Sequence, residues 1–473
     1  MERLTALDTT FLQVEDDVSH MHLGSVGLFE GPAPPQDAVV RAVEAKLHLA
    51  PRYRQRVRFV PLGAGRPVWV DDPGFRAEDH LRRAALPAPG GDAELHRLVG
   101  RVMSRQLDRT RPLWQLWIVE GLADGSWAMI SKLHHAMVDG VAANSLVTLL
   151  MDPRADTPAG DPVPWTPEPD PAGVELVAGA LAERASRPAH RVRAAAGGLR
   201  QPRRWVRYGA GAIRGLAAYT GAVPPPPSSS LNGRIGRHRR WDRARTTLAD
   251  VREIRAAFGG TVNDVLLTAV AQGFRELLQA RGEATDRPVR ALIPVSVRRP
   301  SDPAAHNRVS AIFADLPVGV ADPVQRLRTV TAQLRHLKQL GEPVAGEMLT
   351  ALEGFTPEIL LAAAARMATR TPQRSVNTVV TNVPGPQAPL HLAGRRMLES
   401  YPYVPIAGHV RIGVAIYSYD GGLGFGITAD DDAVPDLEVL RAGIEHGVAD
   451  LLAAARGQRG PAPPAARAAA RDR

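Results

Sequence analysis

The sequence predicts an α/β protein of two domains. Three observations carry that reading. The chain has 473 residues, 44% of them hydrophobic and 23% charged, an ordinary globular composition with enough length for two cores of normal size. Strand-like and helix-like stretches alternate in both halves. Between the halves lies a break rich in proline, alanine and arginine, which marks a crossover rather than a folded layer.

In chain order, residues 116–120 read as a strand that follows Pro112-Leu113-Trp114. Asp124-Gly125 is a hairpin turn, and residues 127–133 make the returning strand. Trp114 and Trp117 then fall on opposite faces of one strand. After Asp139-Gly140 the pattern turns helical, with Val141, Leu146, Val147, Leu149 and Leu150 on the apolar side. Residues 151–173 are too rich in proline for a long helix or strand. Residues 176–220 read as weakly helical and basic, and Pro224 to Pro227 form a second stiff break. The second half predicts strands over 245–248, 289–297, 309–318, 375–381, 410–419 and 423–428, with Asp420-Gly421-Gly422 as a hairpin turn. Helices fit the stretch ending at Phe258 and residues 261–278, 323–340, 347–352, 357–369 and 435–455. The expected organisation is an N-terminal domain (1–150), a Pro-rich and basic helical crossover (151–230), a C-terminal domain (231–456) and a disordered basic tail (457–473).

Charge and cysteine content narrow the function classes. The chain has no cysteine, which excludes disulfides, thiolate metal sites and cysteine nucleophiles. The opening, MERLTALDTTFLQVEDD, carries acidic residues and no long apolar core, so it is not expected to be a secretory signal. No apolar run approaches the ~18 residues that span a bilayer, and the expected location is the cytoplasm. The formal net charge is +9, and only Lys46, Lys132 and Lys338 are lysines. A mutational bias toward arginine or an anionic partner accounts equally well for that excess. From Arg191 to Arg245 the sole acid is Asp242, and Trp205, Tyr208, Tyr219 and Trp241 are interleaved with the arginines. Such a stretch suits a headgroup interface. No nucleic-acid module accompanies it, so no nucleic-acid partner is expected.

The strongest local signal is His134-His135-Ala136-Met137-Val138-Asp139-Gly140. It falls between a predicted strand and a predicted helix, where side chains can project into a cleft. One histidine there can serve as a general base near neutral pH. Asp139 can hold the geometry, and Gly140 lets the backbone turn and leaves room for a ligand. A zinc site needs three or four ligands, and the spacing of His20, His22, His80 and His96 recommends none, so no metal is expected. Thr261-x-x-Asp264 has the form of a helix capping box, which gives Asp264 a structural role. A helix starting there would also favour developing negative charge.

HHxxxDG is the signature of the CoA-dependent acyltransferase superfamily, and further segments resemble one branch of it. Pro112-Leu113-Trp114, Leu231-Asn232-Gly233, Thr261-Val262-Asn263-Asp264, Pro294-Val295-Ser296-Val297-Arg298, Asn307-Arg308-Val309-Ser310 and Asn382-Val383-Pro384-Gly385-Pro386 look like the bacterial wax ester synthase/diacylglycerol acyltransferase family. Leu7-Asp8 and Met21-His22 fit as well. The resemblance covers about residues 3–455 and is weakest in the linker.

The resemblance implies a two-domain, chloramphenicol-acetyltransferase-like fold with an active-site tunnel at the domain interface. It implies an acyl-CoA-dependent O-acyltransferase that needs no cofactor and takes acyl-CoA as co-substrate. The acceptor would be diacylglycerol, giving triacylglycerol, or a long-chain alcohol, giving a wax ester. His135 would be the general base and His134 would shape the site. Asp139 would be structural, with Arg298 as the candidate arginine partner. Asn263 would donate to the oxyanion or hold the acceptor. Asn382, Pro384 and Gly385 would line the acyl tunnel, while Pro112 and Trp114 would set packing at the base of the hairpin. The absence of both a cysteine and a GxSxG elbow agrees with direct transfer without an acyl-enzyme. Two alternatives remain: a relative acting on a specialised hydroxyl acceptor, and a catalytically silent lipid-binding protein of the same fold. Lipid substrates also suggest peripheral contact with an anionic membrane or lipid body, through Arg203, Arg204 and Arg207.

Overall fold

Two six-stranded sheets carry the molecule. The computed structural model describes residues 2–137, 149–158, 160–183, 229–296, 309–340 and 376–458. The elements of the first part are β1 (Glu2–Arg3), α1 (Ala6–Val14), β2 (His22–Phe29), α2 (Gln36–Glu44), β3 (Gln55–Arg58), β4 (Val68–Asp71), β5 (Leu81–Ala85), α3 (Asp92–Met103), β6 (Trp114–Glu120) and β7 (Trp127–His134). A helix over 173–183, α4, follows the Pro-rich stretch. The later elements are β8 (Arg239–Thr247), α5 (Leu248–Phe258), α6 (Val262–Ala280), β9 (Val289–Ser296), β10 (Val309–Leu316), α7 (Pro323–Leu340), β11 (Thr378–Val383), β12 (His391–Leu392), β13 (Arg395–Tyr403), β14 (Ile412–Tyr419), β15 (Gly422–Asp430) and α8 (Leu437–Gln458).

The first sheet has the order β12-β13-β2-β7-β6-β5, the second β10-β9-β11-β14-β15-β8, and β1-β4-β3 form a small third sheet. Strand β7 sits inside the first sheet and is buried along its whole length. Trp127, Met129 and Leu133 point into one apolar cluster, and Ala128 and Ile130 into another on the opposite face. Lys132 and His134 continue that second face as its polar end. The flanking hairpin turn at Asp124-Gly125 is as expected: Gly125 has φ 77°, and the Ser126 N–H donates to the Asp124 carboxylate at 3.0 Å.

Most second-half elements lie within a few residues of their sequence-predicted positions. Three differ. Strand β8 starts at Arg239, six residues earlier than expected, because Arg239, Trp241 and Ala244 turn inward and the outward arginines mask the alternation. Strand β11 extends to Val383, so Asn382 lies within a strand rather than in the loop after it. Strand β13 was not expected at all. Its sequence, RRMLESYPY, mixes charge and proline, and a register shift between Met397 and Glu399 breaks the period. It pairs antiparallel with β2, so a strand from the C-terminal half completes the N-terminal sheet. The sequence-predicted helices over 347–352 and 357–369, the basic stretch 184–228 and the tail from 459 lie outside the described residues.

The two halves meet where α3 crosses β8. The Arg239 N–H donates to Ser104 Oγ at 2.8 Å. Gly100 lies so close that a Cβ there would come within 2.3 Å of the Arg239 carbonyl oxygen, which explains the glycine. The apolar cluster at this junction takes Val99 and Met103 from α3, Ile130 from β7, Trp241 from β8, and Tyr401 and Tyr403 from β13.

Candidate active site

The His-His segment is fixed first by its backbone. The His134 N–H donates to the Leu113 carbonyl at 2.9 Å, and the His135 N–H donates to the Met21 carbonyl at 2.8 Å. The chain then makes one tight turn, His135–Met137. His134 is 1% exposed. Its Nδ1 accepts from the Ala136 N–H at 3.0 Å, which leaves the proton of the neutral ring on Nε2. That Nε2 lies 3.2 Å from Glu15 Oε2. His134 is therefore locked at both nitrogens and has no lone pair left for a substrate.

Glu15 is the residue that sequence reading missed. It caps the C-terminal end of α1 and is buried. Arg109 Nε donates to Oε2 at 3.2 Å, and His22 Nε2 lies 3.3 Å from Oε1. Burial alone would raise its carboxyl. The hydrogen bonds from His134 and Arg109, with the His22 ring close to Oε1, outweigh burial and hold it far below the usual carboxylate range. Lys132, on the same face of β7 as His134, is also buried; its ammonium donates to the Val102 carbonyl at 2.8 Å and to that of Arg105. Burial pushes Lys132 down to about 7. No local pattern announces Glu15, which stands 119 residues before its partner His134.

Among the described residues His135 is the uncommitted member of the pair. Its ring stacks on Phe11 of α1, with centroids 3.8 Å apart and planes 25° from parallel. Among the described residues its Nδ1 has no hydrogen-bond partner, and the residue as a whole is half-buried. Burial lowers its pKa to about 4, so the imidazole is neutral near pH 7 and able to accept a proton. Asp139 and Gly140, which complete the motif, lie outside the described residues, as does Arg298.

A second constellation forms in the other half. Thr261 caps α6: its hydroxyl accepts from the Asp264 N–H at 3.2 Å, and the Asp264 carboxylate accepts from the Thr261 N–H at 2.9 Å. Asp264 is buried in this role. Asn263, in the same first turn, presents Oδ1 to Asn382 Nδ2 of β11 at 3.3 Å. Two residues that sequence reading selected separately are thus paired at the N-terminus of a 19-residue helix, where backbone N–H groups favour negative charge. Beyond β11, Pro384 is exposed, and the Gly385 N–H donates to Ser418 Oγ at 3.1 Å. A Cβ on Gly385 would come within 2.2 Å of the Ser418 carbonyl oxygen, so only glycine fits against β14.

Trp114 is 1% exposed, donates from Nε1 to the Tyr53 carbonyl at 2.8 Å and stacks on His80. Pro112 is buried beside it. Trp117 packs on the opposite face of β6. The Leu231-Asn232-Gly233 segment is a junction: Asn232 Nδ2 donates to the carbonyls of Val376 (2.8 Å) and His409 (3.1 Å). Ala136 and Met137 share one apolar cluster with Tyr419 of β14, and the neighbouring Tyr417 packs against that cluster and over Gly385. The His-bearing turn and the Asn382–Gly385 segment are thereby joined by continuous packing. Among the described residues no group of three or more His, Asp or Glu side chains is arranged to hold a metal ion, and no helix is long and apolar enough to cross a membrane.

Comparison with known proteins adds to this geometry. Residues 4–266 match the wax ester synthase/diacylglycerol acyltransferase catalytic domain, and residues 305–451 match the WS/DGAT C-terminal domain. A probable diacylglycerol O-acyltransferase of Mycobacterium tuberculosis is 40% identical over 460 residues, covering 96% of both chains. Another from the same organism, a putative diacylglycerol O-acyltransferase, is 34% identical over 96% of this chain and 91% of its own length. The solved wax ester synthase/diacylglycerol acyltransferase from Marinobacter aquaeolei VT8 superposes with a TM-score of 0.69 at 26% identity, over 96% of this chain and 100% of that one. The first condensation domain of the calcium-dependent antibiotic synthetase shares the fold alone, with a TM-score of 0.58 at 17% identity over 96% of each chain.

Proposed function

The chain belongs to the wax ester synthase/diacylglycerol acyltransferase family, and on that premise we propose that it moves a long-chain acyl group from acyl-CoA to diacylglycerol, with a long-chain alcohol as second acceptor. Acyltransferase activity and the chloramphenicol-acetyltransferase-like fold follow from family membership. The choice of acceptor and the residue roles are the proposal.

The observation that carries it is the contrast between the two histidines. His134 has both nitrogens committed; His135 is neutral, stacked and partly exposed. His135 takes the hydroxyl proton as the acceptor oxygen attacks the thioester carbonyl. The tetrahedral intermediate collapses, the carbon–sulfur bond breaks, and the departing thiolate takes the proton back from the imidazolium. Ester and CoA leave, and no cofactor takes part. Asn263, held by Asn382 at the α6 N-terminus, stabilises the developing oxyanion or orients the acceptor. Pro384 and Gly385 form part of the acyl-chain wall. Asp139, Gly140 and Arg298 enter this reading through the family motifs. Contact with an anionic membrane or lipid body through the basic crossover belongs to the same proposal, because both acceptors partition into lipid.

The test is CoA release from palmitoyl-CoA with dipalmitoylglycerol, hexadecanol or no acceptor, in wild type and His135→Ala. Acceptor-dependent release that is lost in the variant supports the reading, and the ratio of the two acceptors ranks them. Release unaffected by His135→Ala removes the general base. No release with either acceptor shifts the reading to a specialised hydroxyl acceptor or a silent lipid-binding protein.

A further inference from the structure

We propose that a basic cleft at the junction of the two halves holds the phosphate groups of the acyl donor. The inference rests on the acyl-CoA reading above and assigns that donor a place on the surface. The cleft encloses about 520 Å³. Its lining includes Asp17 and His20 from the α1–β2 connection, Arg101 and Arg105 at the end of α3, and Arg237 and His238 just before β8. That volume suits a nucleotide-sized ligand.

The charge in the cleft is largely uncommitted. Arg237 reaches Asp17 at 3.2 Å, but both side chains are exposed, so the pair is weak and easily exchanged. Arg101, Arg105 and His238 have no side-chain hydrogen bond or ion pair among the described residues. Two guanidinium groups on successive turns of α3 and its C-terminal extension offer planar donor forks of the kind that phosphate oxygens bind. The cations converge on a concavity rather than spreading over a flat face, which favours a discrete phosphorylated ligand over a bilayer.

His20 supplies the second observation. It is 7% exposed, and among the described residues its buried Nδ1 has no hydrogen-bond partner. From this floor a row of rings leads to the candidate active site: His20 to His22 is 5.3 Å between centroids, and His22 to His134 is 6.2 Å. The residue between them, Met21, holds the His135 N–H. A donor anchored by its phosphates in the cleft therefore lies within the reach of an extended pantetheine arm from the His-His segment. The same residues tie the cleft to the inter-half contact, because Ser104 in its lining accepts from Arg239 of β8.

The experiment compares wild type, Arg101→Gln/Arg105→Gln and the reversal Arg105→Glu with a control, Arg76→Gln/Arg97→Gln, which removes equal charge elsewhere. Kinetics are measured with palmitoyl-CoA and with palmitoyl-N-acetylcysteamine, which keeps the chain and thioester but has no phosphate. Direct binding of adenosine 3′,5′-bisphosphate is measured by calorimetry. The expected result is a rise of about tenfold in KM for palmitoyl-CoA in the cleft variants, the size expected for lost charged hydrogen bonds. The N-acetylcysteamine thioester should change less than twofold, adenosine 3′,5′-bisphosphate binding should weaken in parallel, and the control should behave as wild type. Equal losses with both thioesters, or no change with either, overturn the assignment. Retained KM with lost binding to phosphatidylglycerol vesicles also overturns it, in favour of a membrane-facing patch. Wild type that binds adenosine 3′,5′-bisphosphate in this cleft but transfers no acyl group would leave the cleft standing and sink the acyl-CoA reading instead.

Discussion

His22 and His134 are register partners across β2 and β7, and both lie within 3.3 Å of one buried carboxylate, Glu15. The arrangement ties the last turn of α1 to the strand that delivers the HHxxxDG segment. It also separates the two histidines chemically: the first is consumed by structure, and the second is left for the substrate.

Replacing Glu15 should therefore damage the site without touching substrate. Glu15→Ala leaves the Arg109 charge and two imidazoles without their shared partner, at a cost of about 3–5 kcal/mol in urea unfolding. Glu15→Gln keeps an acceptor and should be milder, with kcat lowered about tenfold and KM nearly unchanged. An unaltered kcat in Glu15→Gln would show that the orientation of His134 does not matter to the reaction.

The Asn263–Asn382 pair predicts non-additivity. Each alanine substitution alone should lower kcat/KM about tenfold, and the double variant should fall little further, because each residue works through the other. A double-mutant cycle with independent, multiplying losses would mean that the 3.3 Å contact is incidental.

Asp264 should behave as a helix cap. Thr261→Ala and Asp264→Asn should each lower stability by about 1 kcal/mol, read from the thermal midpoint. Remaining folded enzyme should keep the KM for acyl-CoA. A selective loss of kcat in Asp264→Asn at unchanged stability would instead place this carboxylate in the chemistry.

Stability should decline on mild acidification. His22 is buried and His96 half-buried as neutral rings, with burial pushing them down to about 3 and about 4. In the unfolded chain each titrates near ~6.5. Between those values the unfolded chain binds more protons, so stability is full above pH ~6.5 and is lost as the pH falls toward ~4. Glu15, with its carboxyl held low, adds a contribution that is present above pH ~4.5 and lost below it. The urea midpoint should fall from pH 7 to pH 5, and His96→Gln should flatten that slope. A level midpoint across this range would contradict the buried neutral state.

Legibility in the sequence followed the range of the signal. Local patterns were readable: the β6–β7 hairpin from Asp124-Gly125, the α6 cap from Thr261 and Asp264, and helix α7 at the bounds expected for it. Asn263 and Asn382 were selected from separate motifs, but nothing in the chain said that they touch. Glu15, Arg109 and Phe11 escaped because their roles exist only once α1 packs under the β7 end. Strand β13 escaped because its bulge, arginines and proline erase the period-two pattern that identifies a strand. Arg239 was masked by the basic stretch around it, although it is 5% exposed and donates to the Val18 and Gly236 carbonyls.

The pairing of β13 with β2 has a consequence for how the protein is made. Strand β2 is translated among the first 30 residues, yet its outer partner emerges only after residue 395. Until then the ribosome-bound chain carries β2 as a naked sheet edge beside the nascent His-bearing strand. The Pro-rich stretch after residue 150 thus looks like a convenient place to divide the polypeptide, but an N-terminal fragment released there would carry that open edge permanently and be prone to edge-to-edge aggregation. Supplying residues 376–458 in trans, within a co-translated C-terminal fragment, should be what rescues it into solution.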